Sequence, residues 1–499
     1  MTHLTHRALI EAIRSCETST EGERLLSDPG FAEVYPLVRQ RLMANNLAGV
    51  KGAAQSRAQR LKGLWNIVAH EWNRPSRPDG KAEVAMLSYS TSRLFRLPAG
   101  WPDAFAHPFA EAASGMNKRM TVFEVPARGE YRRPAIGPSF SIGRDEILVR
   151  VKMALGAKDK TTHTAITDFS QLARARGLQT DGLTRDAWGR TWTAFVKRRS
   201  IFEAQFAHSP LDIAIAVTWY ATTGMAFTSA AQRQGIPVAD LQHGVQGAHH
   251  CMYGEWPSAT SESSLIPSAF MTWSEAEHSN LSNWIGARRR SYVSGIPWMH
   301  MDEDLLGTSP EFLALKKAAG ERPIILVTLQ PEPSALLSKV EDLLALPGAD
   351  RFSWAVRCHP GHVDQVDEIA RRFAGHANVL PVHAASLAPL SLVLKLSTVH
   401  VTEFSSVVIE AAGVGIPSVL TTGYGVSHYE HLSDGMTSVE TEPSSILAAL
   451  VRLSSTGVEN RTKTGAPIDD KTPATALARF MADAAADQFD IKRLEGADL

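Results

Sequence analysis

Cysteine is nearly missing from this chain of 499 residues: Cys16, Cys251 and Cys358 lie far apart and form no CxxC pair. A disulfide scaffold and a cysteine-clustered zinc module are thereby excluded, and a reducing compartment is expected. An excess of either charge is missing too. Fifty-one basic residues face fifty-two acidic ones, a net charge of −1, so no global field favours nucleic acid or an anionic bilayer. Long apolar runs are also lacking. Stretches such as Ile213 to Val217 and Ile324 to Val327 fall far short of the roughly 20 residues that a membrane span needs. The opening residues, MTHLTHRALIEAIRSC, have no sustained apolar core, so no export signal is expected. These absences together lead us to expect a soluble cytoplasmic protein, at most peripheral to the inner membrane. What is present, 44% hydrophobic and 21% charged residues, describes a globular chain too long for one core, so two or more domains are expected.

The order of patterns along the chain suggests how those domains are divided. Residues 1–75 read as a helical extension broken at Pro29-Gly30, with Trp65, Ile67 and Val68 as anchors onto the adjoining domain. A buried strand, Glu83 to Ser88, then opens an N-terminal α/β domain over 76–300, interrupted by a helical insertion at about 132–205. The insertion is cationic, from Arg144, Arg150 and Lys152 to Lys197, Arg198 and Arg199. A solvated face is its first reading, and docking at an inner-leaflet surface the alternative. Strands at Ile213 to Thr218, Val238 to Gln242, Ala269 to Thr272 and Tyr292 to Ser294 alternate with helices, the rhythm of a parallel sheet. Beyond residue 300 a second α/β unit, 301–499, takes Ile324 to Leu329, Trp354 to Arg357, Leu392 to Leu394, His400 to Thr402 and Ser418 to Thr421 as strands. The polar stretch Glu459 to Lys471 reads as a loop, and Pro473 to Phe489 as a closing helix. The expected fold class is therefore α/β with two doubly wound domains.

The densest segment is Thr398 to Thr422. His400 to Thr402 is β-rich, and Ser405-Ser406 can cap a helix starting at Val407. Unpaired N–H groups and the helix dipole at such a start favour an anion, as half of a nucleotide site would require. Glu410 lies one turn on, about 6 Å along the axis on the same face as Ser406, where it suits ribose hydroxyls. An ordinary βαβ unit with a plain cap is the competing reading.

Two histidines stand just beyond apolar strands: His243 in Gln242-His243-Gly244 and His359 in Arg357-Cys358-His359-Pro360. Carboxyl ends of strands in open α/β sheets face the ligand crevice. Pro360 keeps the chain extended after His359, and Gly244 permits a sharp turn or a close approach to a ligand. Thr328 and Gln330 end a strand and either meet donor phosphates or form a simple turn. The turn Gly423 to His428 either approaches a base or sugar or only connects. Ser90-Thr91-Ser92-Arg93 either lines an acceptor side or caps a helix.

Taken in order, Gln242-His243-Gly244, Val293-Ser294-Gly295-Ile296-Pro297, Arg357 to Pro360 and Ser405-Ser406 followed by Glu410-Ala411-Ala412 resemble bacterial GT-B glycosyltransferases of surface polysaccharide (capsule and O-antigen) synthesis. The resemblance extends to Kdo transferases, polysialyltransferases and CDP-glycerol glycerophosphotransferases, and it runs from about residue 81 to 440. It implies two facing Rossmann-like domains, an N-terminal one for the acceptor and a C-terminal one for a nucleotide-sugar donor. It implies donor phosphate at His359, with Ser405, Ser406 and Glu410 holding phosphate and ribose, and it puts His243 on the acceptor side as the first choice of base. Glu255 is the second choice. Arg357, His359 and the helix start together would neutralise the leaving nucleotide, so no cofactor and no divalent ion is implied, the nucleotide-sugar being a co-substrate. The acceptor would be a glycan or lipid-linked saccharide.

Departures leave the chemistry open. Glu403 and Glu410 have six residues between them where retaining relatives often have seven, and Arg144-Asp145-Glu146 lacks the glycine of the polysialyltransferase signature. Asp302-Glu303-Asp304 has a DxD form but reads as a capped turn, and His249-His250-Cys251 lacks a second spaced ligand pair for zinc. The alternatives are a UDP-sugar 2-epimerase-like GT-B enzyme and a non-catalytic carbohydrate- or nucleotide-binding protein of this fold.

Overall fold

A computed structural model describes the chain apart from residues 1–4, 48–56, 72–77, 79, 128–130, 155–163, 286–288, 331–333, 424–425, 433–434, 462–470, 490 and 492–499. Four helices come first: α1 (His6–Glu17), α2 (Thr20–Leu26), α3 (Pro29–Asn46) and α4 (Arg57–Glu71). Short polar side chains start three of them. Thr5, Ser19 and Asp28 accept hydrogen bonds from the N–H groups of Ala8, Gly22 and Phe31, and Pro29 fills the first position of α3, where its missing N–H costs nothing. Ile67 is buried as expected, but Trp65 is 72% exposed; it stands on the outer side of α4 and anchors nothing.

The strands of the first half are β1 (Val84–Tyr89), β2 (Trp101–Pro102), β3 (Met120–Val125), β4 (Ala135–Ile136), β5 (Ser139–Ser141), β6 (Ile213–Val217), β7 (Val238–Leu241), β8 (Ala269–Thr272) and β9 (Arg290–Val293). Seven form one parallel sheet in the order β5-β3-β1-β6-β7-β8-β9, while β2 and β4 pair separately. Its helices include α5 (Ala106–Gly115), α6 (Gly143–Ala154), α7 (Thr164–Ala175), α8 (Arg185–Phe206) and α9 (Thr222–Arg233). The second half has β10 (Ile324–Thr328), β11 (Ser353–Arg357), β12 (Ser397–Thr402), β13 (Ser418–Leu420) and β14 (Thr437–Val439), parallel in the order β11-β10-β12-β13-β14.

Both orders are doubly wound. The direction of winding reverses between β1 and β6 in the first sheet and between β10 and β12 in the second, and ligands enter at such switch points, beyond the carboxyl ends of the strands. Side-chain alternation explains how each sheet is covered on both faces. Ala85 and Leu87 share a core with α1–α3 and α7–α9, whereas Val84 and Met86 join a second core that continues across the interdomain linker to Ile324 and Leu326. Ile325 and Val327 point into a third core, on the other side of the second sheet. The N-terminal helices are therefore one covering layer of the first sheet.

Sequence expectations change in three places. The stretch 132–205, expected to be a helical insertion, also contains β4 and β5, and β5 is the edge strand of the first sheet. Leu392 to Leu394 is part of a helix, Leu390–Leu396, that runs directly into β12; a short apolar run buried on all sides suits helix and strand equally. The closing helix, Pro473–Ala485, packs against α5 and β9 of the first half. The Tyr292 hydroxyl donates to Asp483 at 2.7 Å, and its ring lies 5.8 Å from that of Phe480. The expected loop at Glu459 to Lys471 falls largely outside the described residues, and Pro443–Arg461 is helical. With two Rossmann-like domains in contact through their strand-end loops, the architecture is the expected GT-B fold.

Candidate functional site

The carboxyl ends of the two sheets approach each other around a group of imidazoles. On the first side, β7 ends at Leu241 and Gln242 fixes the loop beyond it. The Gln242 amide oxygen accepts from Trp273 N–H at 2.6 Å and its nitrogen donates to the Gly244 carbonyl at 3.0 Å. Gln242 is fully buried, so it shapes the loop after β7 and does not face a ligand. His243 then stands beside Tyr220, whose hydroxyl is 3.2 Å from its Nε2. Tyr220 owes its position to Thr218, which has a left-handed φ of 64°, unusual for a β-branched residue and a turn that strains the backbone. The same turn sends Trp219 into the core. A Cβ on Gly244 would meet no atom within 4 Å, so there is open space beside the loop.

Beneath this loop lies a buried network. Asp240 accepts from Trp219 N–H at 3.1 Å and from the Tyr253 hydroxyl at 2.8 Å, and burial pushes its carboxyl up to about 7. Tyr253 in turn packs on His250, ring to ring at 5.0 Å, and Tyr220 packs on both. Burial lowers His243 to about 4 and takes His250 well below its ordinary value, the latter helped by His6, His243, His428 and Arg39. Every imidazole so described is held neutral.

His6 arrives from α1, more than two hundred positions away in sequence. Ile10 packs so closely on Gly254 that a Cβ there would fall 2.4 Å from the Ile10 side chain, and this docks α1 against the loop after β7. His6 thus lies 5.9 Å from His250, 5.5 Å from His428 and 6.3 Å from Phe404, ring centroid to centroid. His249 is 6.3 Å from His428. His428 and Phe404 belong to the second domain, so the N-terminal helix and both sheets meet here.

On that second side, Gln330 donates to the Phe404 carbonyl across the switch point between β10 and β12, and in this way it positions the Phe404-Ser405 turn. Ser405 and Ser406 are half-buried at the start of helix Val407–Gly413. Ser405 Oγ, not Ser406, accepts an N–H there, from Val407 at 3.3 Å, and Tyr429 holds the Ser405 backbone at 3.1 and 2.9 Å. His428 is buried, and its pKa is lowered to about 4 by burial and then by His6 and His249.

The two domains also meet at a second point. His359 and Pro360 leave β11 half-buried, with the Gly361 N–H donating to His359 Nδ1 at 3.1 Å. Arg132 of the first domain donates to the Arg93 carbonyl and, at 3.1 Å, to the Pro360 carbonyl, with its guanidinium 5.4 Å from the Trp101 ring. A first-domain cation thus reaches the His-Pro turn.

Several expected site residues have other partners. Arg357 is buried, donates to the carbonyls of Ala385 at 2.6 Å and Ala388 at 2.8 Å, and has its pKa lowered to about 10 by burial. It secures a helix end and does not face a leaving nucleotide. Glu410 is 2% exposed and accepts from Trp298 Nε1 at 2.8 Å, with burial raising its carboxyl to about 7. Trp298, in the interdomain linker, packs on Phe105 and Trp273, so Glu410 ties the linker to the second domain where ribose contact was expected. Thr328 bonds to buried His400 at 2.7 Å. Of the residues expected to line an acceptor side, Ser90 accepts from Ala127 N–H at 3.0 Å, Ser92 is buried, and Arg93 pairs with Glu124 at 2.5 Å; all three are interior. Glu255 pairs with Arg14 at the rim of a cavity of about 480 Å³ that contains none of the histidines. Asp302 caps a short helix by accepting from Asp304 and Leu305 N–H groups. Among the described residues, no three His, Cys, Asp or Glu side chains are arranged to hold a metal ion.

Sequence reasoning passes over His6 and Tyr220 and weighs His250 only as a zinc ligand. Tyr220 lies past a strand end, within reach of the same rule that finds His243; His6 carries no local signal.

No family model matches the chain and no curated protein does. Solved structures similar to it include a putative UDP-N-acetylglucosamine 2-epimerase from Listeria monocytogenes, at 13% identity over 84% of this chain and 100% of that one, with a TM-score of 0.49. UDP-GlcNAc 2-epimerase from Neisseria meningitidis bound to UDP-GlcNAc is similar at 13% identity over 81% and 99%, with a TM-score of 0.47. The wall teichoic acid polymerase TagF is similar at 11% identity over 86% and 97%, with a TM-score of 0.44. The chain thus consists of two doubly wound α/β domains whose strand-end loops meet at a group of imidazoles.

Proposed function

We propose that this protein is a nucleotide-sugar-dependent glycosyltransferase that moves a sugar to a glycan or lipid-linked saccharide in bacterial surface polysaccharide synthesis. The observation that carries this reading is the meeting of strand-end loops from both sheets, those after β6 and β7 in the first and after β12 and β13 in the second, at the group formed by His243, His250, His6, His428 and the Phe404-Ser405 turn. The second domain would hold the donor phosphates with Ser405, Ser406, His359 and His428. The first domain would present the acceptor. An acceptor oxygen attacks the anomeric carbon, the bond from that carbon to the phosphate oxygen breaks, and the nucleotide leaves with the electron pair. The acceptor proton passes to His243, which is neutral near pH 7 and gains basicity as the phosphates approach. Imidazole and hydroxyl donors aimed at the leaving phosphates stabilise the developing charge. Closure of the cleft excludes water.

The site of action in this reading is the cytoplasm, with peripheral membrane contact. Exposed Leu61, Trp65, Leu148 and Val151 on α4 and α6, near Lys62 and Lys152 in sequence, support that contact; among the described residues no helix is long and apolar enough to cross a membrane.

A thermal-shift series with UDP, CMP, CDP, GDP and TDP, on wild type and on His359→Ala, tests the donor side. One nucleotide is expected to raise Tm by several degrees at saturation, with the gain lost in the variant. No shift with any of the five would contradict the reading. Release of free or epimerised sugar from a UDP-sugar without acceptor would instead favour a 2-epimerase-like enzyme.

A further inference from the structure

We propose that His6, from the N-terminal helix, completes an anion site with His250 and His428, and that phosphate oxygens bind there with uptake of protons from solution. The inference rests on the nucleotide-sugar reading for the identity of the anion, but the site itself stands on geometry. Three imidazoles from three separate parts of the chain converge with ring centroids 5.5 to 5.9 Å apart along the two contacts of His6. His249 borders His428, and Tyr220, Tyr253 and Phe404 wall the group. His6 Nδ1 is buried without a hydrogen-bond partner.

The charged groups around this cluster leave it short of negative charge. From α3, Arg39 bears on His250 and is itself tied to Glu17 at 3.5 Å and to the Glu255 carbonyl at 2.8 Å. On α1, Arg7 pairs with Glu11 at the surface. From β7, Asp240 is engaged with Tyr253 and Trp219. In the second domain Glu403 lies under the influence of Lys339. No carboxylate is hydrogen-bonded to His6, His250 or His428 among the described residues. Burial lowers the pKa of all three, followed by His249 at His6, by His6, His243 and His428 at His250, and by His6 and His249 at His428. A phosphate dianion between them reverses that balance, because it converts repulsion between protonated rings into attraction by each. The pKa values then rise on binding, protons are taken up, and anion affinity increases as pH falls from 8 toward 6.

Calorimetric titration of wild type with inorganic pyrophosphate, UDP and CDP at pH 7, in buffers of low and high ionisation enthalpy, measures the proton count. We expect uptake of about one proton per anion. His6→Gln is expected to lower affinity about tenfold and to remove most of that uptake, and His428→Gln to do the same. His6→Arg separates a binding role from a folding role: it should bind pyrophosphate at least as well as His6→Gln while taking up fewer protons than wild type. Unchanged affinity and unchanged proton uptake in His6→Gln, with the variant folded by near-UV circular dichroism, would overturn the site. So would tight binding of Zn²⁺ that is lost in the same variants, which would make the cluster a metal site. Pyrophosphate binding with proton uptake, but no gain for UDP or CDP over pyrophosphate, would uphold the site and count against the nucleotide reading alone.

Discussion

His400 and His243 stand in equivalent surroundings at first sight, each on a parallel strand or at its end, and each with its pKa depressed by burial. Their bonding differs. His400 lies inside β12 with both ring nitrogens engaged, Nε2 to Thr328 at 2.7 Å and Nδ1 to Ser418 at 2.9 Å, so that it staples three neighbouring strands, and its pKa falls to about 3. His243 lies just past the end of β7, with a Tyr220 hydroxyl at one nitrogen and open space beside the adjacent glycine. The first histidine has its hydrogen-bonding capacity used by the fold; the second retains capacity for something that arrives. Buried polar groups are almost always satisfied by the protein itself, so incomplete satisfaction at a strand end is the more informative state.

Substitution should separate the two. His243→Ala is expected to reduce turnover about 100- to 10,000-fold under conditions where chemistry limits, with little change in Tm. Wild-type turnover would remove it as the base. His400→Ala is expected to lower stability by about 2–4 kcal/mol in urea unfolding, because it opens a cavity and leaves the Thr328 and Ser418 hydroxyls unpaired. A loss of activity without loss of stability would reverse the assignment.

A buried carboxyl gives a pH-dependent test. Glu410, raised to about 7 by burial, is protonated in the folded state over a range where the unfolded chain is ionised. Its contribution to stability is therefore fully present below about pH 4.5 and is lost as pH rises through 7. Glu410→Gln keeps an acceptor for Trp298 and should be more stable than wild type by about 1–3 kcal/mol at pH 8, with the difference vanishing near pH 4.5. The smallest expected effect is at Gly244. Gly244→Ala should change stability by less than about 0.5 kcal/mol, since nothing stands where the methyl would go, yet weaken donor or acceptor binding if a ligand occupies that space.

Much of the fold is legible in the sequence because alternation and strand-end punctuation are local signals. The β7-to-loop transition at Gln242-His243-Gly244 and the Ser405-Ser406 turn are found this way. What the sequence conceals is competition for polar groups. Arg357, Arg93, Ser90 and Glu410 carry the right chemistry at strand ends or helix starts, but carbonyls of Ala385 and Ala388, the Glu124 carboxylate, Ala127 N–H and the Trp298 indole claim them. Such partners lie tens of residues away and leave no periodic trace. Leu392 to Leu394 passes for a strand because burial of all three residues erases the polar positions that distinguish period 3.6 from period 2. His6 is out of reach altogether, since tertiary packing of α1, with Ile10 against Gly254, brings it to His250.

Hydrogen exchange with and without nucleotide tests most directly whether the two sheets share one site. With whichever of UDP or CDP gives the larger thermal shift, amides of residues 243–253 in the first domain and of residues 403–411 and 426–429 in the second should become protected together, with α1 protected near His6. Protection confined to one domain, or found at neither loop, would contradict a common cleft.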